Sequence, residues 1–486
     1  KVDWFVDFLW EIRMKKTMNL KKMILAGLFA AVAVSSVTAA PKSKMTKDEK
    51  AHFKELEKRF KGQPEFIDPA TNKPYDFGGM EVIIADWWTD PNGADSKPAK
   101  TKIEEDRRNW HKYLGYKYNF RVVEKGIGSW NAHPQSVANY CVLGGDENYV
   151  FVIDTRSVTT GLKASLFYDM KKNKDVDWNQ TKYDKATEKL MTKKGGMFGC
   201  RPMAPEPRTG LFFNKRLLSE ANIDPDSIYD MQKDGTWTWD NFEKVLKKIT
   251  RDIDNDGVID VWGMANHNTE VCHVILESNG GSVIARDAND QLVNNIENAA
   301  SIEAMEWGHK MQSLYEMPQP EGSEWNWMYA AFMNGQAAFM AEQEYFVDTL
   351  AEMQDDWGFV CFPKGPRAKD YPCVNIDNIY VVPAVYGDER ASKITKIFDI
   401  YQTECPGYDS GDYWKEDFYA RFRDERAVDE TLAIMRTHGS TLLSKLVPGL
   451  EPGDVFWTVY PGWETMQEAC EKVRNSWNAL ISEANK

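Results

Sequence analysis

Runs of apolar residues flanked by turn-forming residues alternate along the chain with amphipathic stretches of helical period. Met80-Glu81-Val82-Ile83-Ile84-Ala85 is a nearly continuous apolar run, and the turn Asp90-Pro91-Asn92-Gly93 follows it. The pattern predicts a strand there, a helix over 100–114, a strand over 118–124, a helix over 134–143 and a strand over 149–153. Strands of this kind, separated by helices, imply α/β architecture with a largely parallel sheet, because parallel strands need a crossover helix and are buried on both faces. Further along, 209–214 reads as a strand. Thr238 reads as the cap of a helix whose apolar positions Trp239, Phe242, Val245, Leu246 and Ile249 share one face. Val283 to Val293 resembles a hairpin around 287–290. Helices are predicted near 298–315 and 325–334, and strands over 357–362 and 379–383. The last hundred residues read as mainly helical. Two α/β units without a flexible tether suggest lobes packed around a cleft.

The N-terminal part has a different character. Lys15, Lys16, Lys21 and Lys22 precede the apolar run Met23 to Val37, and Val37-Thr38-Ala39 supplies small residues for cleavage. This is the order of a secretory signal, and the apolar run falls short of the roughly 20 residues of a membrane-spanning helix. Lys1 to Arg13 read as an upstream extension. No Cys follows the apolar run, so no lipid attachment site is indicated. A freely soluble exported protein of this kind is expected in a periplasm. Residues 1 to 39 carry six Lys/Arg and three Asp/Glu, so the part from Ala40 onward holds a formal charge of −17 against −14 for the 486-residue chain. Such an acidic chain argues against nucleic-acid binding, which relies on clustered Lys and Arg. Seven Cys leave at least one thiol outside any pairing, and no Cys/His spacing suits a structural zinc.

One stretch carries a family pattern. It runs Gly210-Leu211-Phe212-Phe213-Asn214-Lys215, then Ala221-Asn222-Ile223-Asp224, Thr236-Trp237-Thr238-Trp239-Asp240-Asn241-Phe242 and the Asp-rich turn Asp252 to Gly263. Ser278-Asn279-Gly280-Gly281, Phe332 to Met340 (read as a helix end) and Phe362-Pro363-Lys364-Gly365-Pro366 follow in order. Together these resemble the extracellular solute-binding proteins of carbohydrate ABC importers, the family that includes maltose-binding protein. The likeness covers roughly 79–400 and departs from the pattern at Phe213, where Tyr is usual, at Asn222, where Gly is usual, and over 401–439, which has no counterpart. It implies a two-lobed periplasmic-binding-protein fold (type II-like) with a hinge and an interlobe ligand cleft. The crossings between lobes fall near 201–210 and 373–378. By this reading 1–39 is extension and signal, 40–78 a lead-in, 79–200 the first part of the N-lobe and 201–372 the C-lobe. The chain returns to the N-lobe over 373–405, and 406–486 is a C-terminal helical segment.

The same resemblance suggests ligand contacts. Sugar recognition uses flat rings against C–H faces and planar polar groups for hydroxyls. Trp87 and Trp88 follow the first strand, and alternation along the chain should turn one toward the cleft and the other inward. Tyr345, beside Glu344, aligns with a ligand-stacking aromatic. Trp457 matches a late cleft aromatic, with Tyr460 or Trp463 as alternatives. Glu206 and Arg208 lie in the first crossing, Asp377 and Asn378 in the return, and Asn266, His267, Asn268 and Glu270 in a loop expected to face the cleft.

Asp252, Asp254, Asp256 and Asp260 have the D-x-D-x-D-G spacing of a calcium loop, but Gly263 stands where an EF-hand has its bidentate Glu. Ca2+ is therefore possible and no cofactor is required. The leading expectation is a monomeric, non-enzymatic carbohydrate receptor that delivers its ligand to the permease subunits of an ABC importer. A secreted glycoside hydrolase would share the abundance of Trp, but no acidic pair stands in a recognisable catalytic motif. A solute receptor for a sensor kinase would share the fold and differ in partner.

Overall fold

A computed structural model describes residues 45–202, 206–371, 373–376, 378–408 and 412–486. The predicted export signal and the extension before it lie outside these residues. Eleven strands matter for the site: β1 Met80–Asp86, β2 Phe120–Gly126, β3 Tyr149–Ile153, β4 Glu206–Pro207, β5 Thr209–Asn214, β6 Trp262–Met264, β7 Ala337–Gln343, β8 Trp357–Val360, β9 Cys373–Ile376, β10 Ile379–Val381 and β11 Gly439–Thr441. They form three sheets, of order β10-β3-β1-β2, β6-β7-β5-β8 and β11-β9-β4.

The first sheet is the core of the N-lobe. β1 runs parallel to both β2 and β3, and β10 closes the β3 edge in the antiparallel sense. Side-chain alternation divides β1 between two cores. Val82 and Ile84 pack with Val150, Val152 and the buried face of helix Lys102–Tyr118, through Trp110, Leu114 and Tyr118. Ile83 and Ala85 pack with Phe151, Ile153, and with Val137 and Cys141 of helix His133–Leu143. A strand with both faces covered has no polar positions to spare, which is why it reads as an unbroken apolar run. Tyr118 ends the preceding helix and does not open β2 as predicted. Asn119 then caps that helix in the left-handed conformation, φ 57°.

The second sheet is the core of the C-lobe. Leu211, Phe212 and Phe213 of β5 are completely covered. The helix Trp239–Ile249 buries the five predicted apolar positions, each worth about 1.5–3 kcal/mol relative to exposure. Trp239 stacks on Trp307 at 4.3 Å. Thr238 has the extended backbone of a helix cap, but its side chain makes no capping bond. Asn222, where a glycine is usual, adopts φ 54°. Asparagine tolerates that region better than most side chains, so the turn survives the exchange. Gly210 has no such latitude: a Cβ there would stand 2.6 Å from the Phe359 ring and 2.7 Å from the Val360 carbonyl oxygen.

Two features depart from the sequence reading. The Ala-rich segment read as a helix end is split, with helix Trp327–Met333 ending before β7 begins. Among the described residues of the final hundred, helices predominate, with β11 the strand among them. In the third sheet β4 and β9, leaving and re-entering the N-lobe, pair antiparallel, with Ile376 opposite Glu206, and β11 pairs parallel to β9. The chain therefore crosses between lobes three times in one small sheet.

The stretch without a family counterpart is tied to both lobes. On the N-lobe side Arg107 pairs with Asp417 at 2.6 Å. On the C-lobe side Arg421 pairs with Asp348, Lys215 with Asp424 and Arg426 with Asp230, while the Arg423 guanidinium donates to the carbonyls of Leu350, Ala351, Met353 and Asp355. All seven cysteines are buried. Among the described residues no helix is long and apolar enough to cross a membrane.

Inside the C-lobe, Glu316 accepts hydrogen bonds from Asn266 (2.6 Å) and Tyr460 (2.7 Å), and burial pushes its carboxyl up to about 7. A carboxyl whose pKa is higher in the folded than in the unfolded chain stabilises the fold fully below about pH 4.5. That contribution is lost as pH rises through about 7. The stability of the natural protein relative to Glu316→Gln should therefore fall between pH 4.5 and 7.5 by about 3 kcal/mol. Thermal unfolding of the two proteins across that range checks it.

Candidate functional site

In open α/β sheets ligands meet the chain beyond the carboxyl ends of the strands, and the N-lobe places aromatic rings there. β1 ends at the buried Asp86, whose carboxylate accepts from the Trp88 and Thr89 amides (3.0 and 2.8 Å) and the Thr89 hydroxyl (2.6 Å). This turn directs the two tryptophans differently. Trp87 is half-buried, edge-on to His133 at 5.2 Å, while Trp88 lies across it at 4.8 Å with 53% of its surface exposed. One ring inward and one outward is the arrangement alternation predicts. Beyond β2 stands Trp130, exposed, with the Arg156 guanidinium 3.6 Å above its ring. Arg156 is held by Asp154, the first residue after β3, through a 2.7 Å bond from Nε to Oδ2. Sequence reasoning missed Trp130. Its one signal was a tryptophan in the loop after the second parallel strand.

The C-lobe supplies a second aromatic and polar wall. Arg208, one residue past β4, is buried and pairs with the buried Glu344 at 2.8 Å, and the Glu344 amide donates to the Arg208 carbonyl at 2.8 Å. This pair anchors Tyr345, whose half-exposed ring lies 5.3 Å from the guanidinium carbon. Partial burial, with the charges of Glu342 and Glu270, pushes the Tyr345 hydroxyl up to about 12, so it stays protonated as a neutral donor. Glu342 is buried at the end of β7, accepts from the Tyr329 hydroxyl at 2.8 Å, and is pushed up to about 7 by burial and then by Glu270. Tyr329 packs edge-on to Trp325, and Trp325 edge-on to His267. Burial lowers the pKa of His267, favouring the neutral imidazole.

Glu270 lies in the first turn of helix Asn268–Ser278, not in a loop as predicted. Trp457, on helix Gly453–Val459, is exposed, and its indole N–H donates to the Thr269 hydroxyl at 3.0 Å. Of the two alternatives to Trp457, Tyr460 is fully buried on Glu316, and Trp463 is exposed.

The structure thus gathers Arg208, His267, Glu270, Tyr345 and Trp457 on the C-lobe and leaves Trp87 and Trp88 on the N-lobe. Trp325 and Tyr329 join the C-lobe set without having been predicted. Asn378 sits between β9 and β10, half-buried, and its Oδ1 is buried with no hydrogen-bond partner among the described residues. Gln343 Oε1, at the end of β7, is in the same state. Glu206 lies in β4, and Asp377 falls outside the described residues.

In the Asp-rich loop, Asp252, Asp254 and Asp260 bring carboxylate oxygens within 4.8 Å of one another. The loop also uses its carboxylates internally. Asp252 accepts from the Asn255 and Gly257 amides, Asp260 from Ile253, and Asp256 from Val258. Asp252 is half-buried and Asp254 and Asp260 are exposed, while Asp256 stands outside this cluster; Ca2+ takes six to eight oxygens.

The pair at the foot of Tyr345 gives a direct test. Arg208→Ala leaves Glu344 charged and buried without its guanidinium, which should cost about 3 kcal/mol. Adding Glu344→Ala should recover more than half of that loss in chemical denaturation, because the stranded charge is then gone.

The family model of bacterial extracellular solute-binding proteins matches residues 161–390. No curated protein matches the sequence. Among solved structures, the chain is similar to a cyclic α-maltosyl-1,6-maltose-binding protein from Arthrobacter globiformis, with TM-score 0.60 and 14% identity over 83% of this chain and 99% of that one. It is similar to an ABC substrate-binding protein of Listeria monocytogenes in complex with cycloalternan, with TM-score 0.56 and 15% identity over 83% and 98%. It is also similar to UgpB of Mycobacterium tuberculosis in complex with glycerophosphocholine, with TM-score 0.58 and 13% identity over 83% and 98%. With two lobes, three crossings and an aromatic wall on each lobe, the chain has the fold of these solute-binding proteins, and over residues 161–390 it matches the family model of the bacterial extracellular solute-binding proteins.

Proposed function

We propose that the protein is the substrate-binding component of a carbohydrate ABC importer. It is exported through the N-terminal signal and works as a periplasmic monomer that takes up a sugar or oligosaccharide between its lobes and passes it intact to the permease. The observation that carries this reading is the exposure of large rings on both lobes at loop and helix ends. Trp88 and Trp130 stand on one lobe, and Tyr345, Trp325 and Trp457 on the other. Exposed rings set beside carboxylates and amides match the two needs of a sugar, a flat apolar cover for its C–H faces and planar partners for its hydroxyls.

Further support comes from the amide oxygens of Asn378 and Gln343. A buried acceptor without a donor costs about 1–3 kcal/mol, and a ligand hydroxyl reaching either one would offset that cost. Such a receptor performs no bond chemistry. Its task is to favour the closed over the open arrangement when liganded. Moving the balance from one part in a hundred closed to the reverse takes about 5.5 kcal/mol of differential binding.

Calorimetric titration with a panel of malto-oligosaccharides and other neutral saccharides tests the proposal, with chromatography of the ligand afterwards. A saturable signal with ligand recovered unchanged is expected. Hydrolysed ligand, or no binding across the panel, overturns it. Trp88→Ala and Tyr345→Ala should each weaken the best ligand about 10- to 50-fold. The melting temperature should stay within about 1 °C of the natural protein's, because both rings are exposed and support little of the core.

A further inference from the structure

A cavity of about 230 Å³ lies between helix Asn268–Ser278, the hairpin arm Ile284–Arg286 and the run Ser440–Ser444, and no residue of either aromatic wall lines it. At about 30 Å³ per water-sized group, it has room for roughly seven such groups. Leu276, Val283, Ile284 and Leu442 make it apolar on several sides. One carboxylate interrupts that lining. Glu277 is flanked along the helix by buried Leu276 and Ser278 and is itself half-buried at the cavity. Its Oε2 accepts from the Ser440 hydroxyl at 3.1 Å. Among the described residues no ammonium or guanidinium pairs with it.

The other charged groups nearby do not supply that partner. Arg286, at the rim, is held by Asp290 through a 2.7 Å bond to its carbonyl and a 3.6 Å contact to its carboxylate. Burial, then the charge of Lys445, holds His273 at about 3, so its imidazole is neutral. Glu277 itself is pushed up to about 7 by burial, the mark of a carboxylate without a cation.

We propose that this cavity is a second ligand site, separate from the cleft between the lobes, and that it takes a small primary amine bearing a hydroxyl group. The ammonium would pair with Glu277 in a charge-assisted hydrogen bond, and the hydroxyl would meet Ser440 or Ser282. The aliphatic lining excludes water around the pair and strengthens it. An anion is disfavoured by the carboxylate, and a wholly apolar guest would leave that carboxylate with the Ser440 hydroxyl and no cation. The cavity wall includes Ser440 and Thr441 of the third crossing strand, so an occupant touches the same segment that ties the lobes together.

The test uses the whole protein without added saccharide. Thermal unfolding in 20 mM ethanolamine hydrochloride is compared with unfolding in equal concentrations of sodium chloride and of glycerol. Ethanolamine should raise the melting temperature by about 1–2 °C over both controls, and Glu277→Gln should abolish the rise. No rise, an equal rise with glycerol, or a rise retained in Glu277→Gln overturns the proposal. Crystals of the natural protein soaked in ethanolamine give a readout independent of how that variant folds. Density for the amine within hydrogen-bonding distance of Glu277 supports the site, and a cavity holding only water overturns it. None of these outcomes depends on whether a sugar binds elsewhere.

Discussion

The backbone pairing of β4 with β9, widened by β11, is the constraint on which the rest of the molecule depends. Each lobe is built around its own sheet, and each sheet satisfies its own hydrogen bonds. What relates one lobe to the other is this third sheet of short strands, in which β4 and β9, with Glu206 opposite Ile376, bring together distant parts of the sequence. The site residues are placed by it. Arg208 leaves β4 directly, Asn378 follows β9, and Glu344 is drawn to Arg208 by both a backbone bond and an ion pair. A short sheet twists and bends more readily than a packed core, so it can hold the lobes in register while allowing them to rotate.

Much of the architecture was legible in the sequence where one local rule dominated. β1, β3 and β5 are apolar on both faces because both faces are covered, and their short length between turn residues sets them apart from a buried helix. The helix Trp239–Ile249 was equally plain, since its five core positions repeat at helical spacing. The failures share a cause. β7 is an Ala-rich strand, and alanine favours helix when judged locally. It becomes a strand because β5 on one side and β6 on the other complete its hydrogen bonds. β11 is Gly-Ser-Thr, a polar triplet that is a strand only because Cys373 to Asn375 lie alongside it.

The candidate site was legible to the same degree. Alternation alone required one of Trp87 and Trp88 to turn inward, and the Asp86 turn decides that it is Trp87. The resemblance drew attention to Arg208 and Tyr345, but the reason they belong together, a buried ion pair beneath an exposed ring, appears only once β4 and β7 are in place. Trp130 and Trp325 sit in polar loops where a single aromatic carries no periodic signal. Their roles come from what folds beside them, Arg156 over one ring and His267 and Tyr329 around the other.

The segment between the last N-lobe helix and β11 has a wider consequence. It is fastened to the C-lobe by three ion pairs and a guanidinium spanning four carbonyls, and to helix Lys102–Tyr118 of the N-lobe by the half-exposed Arg107–Asp417 pair, the Tyr408 hydroxyl on Asp106 and the Trp110 indole N–H on the Thr403 carbonyl. Half-exposed pairs are weakened by dissolved ions, whereas the apolar contacts within each lobe are not. The electrolyte around the protein is therefore a tuning knob for this strap: brine loosens its exposed ion pairs at both ends, and what then keeps it on the lobes is the Trp110–Thr403 bond on one side and the Arg423 guanidinium among its carbonyls on the other.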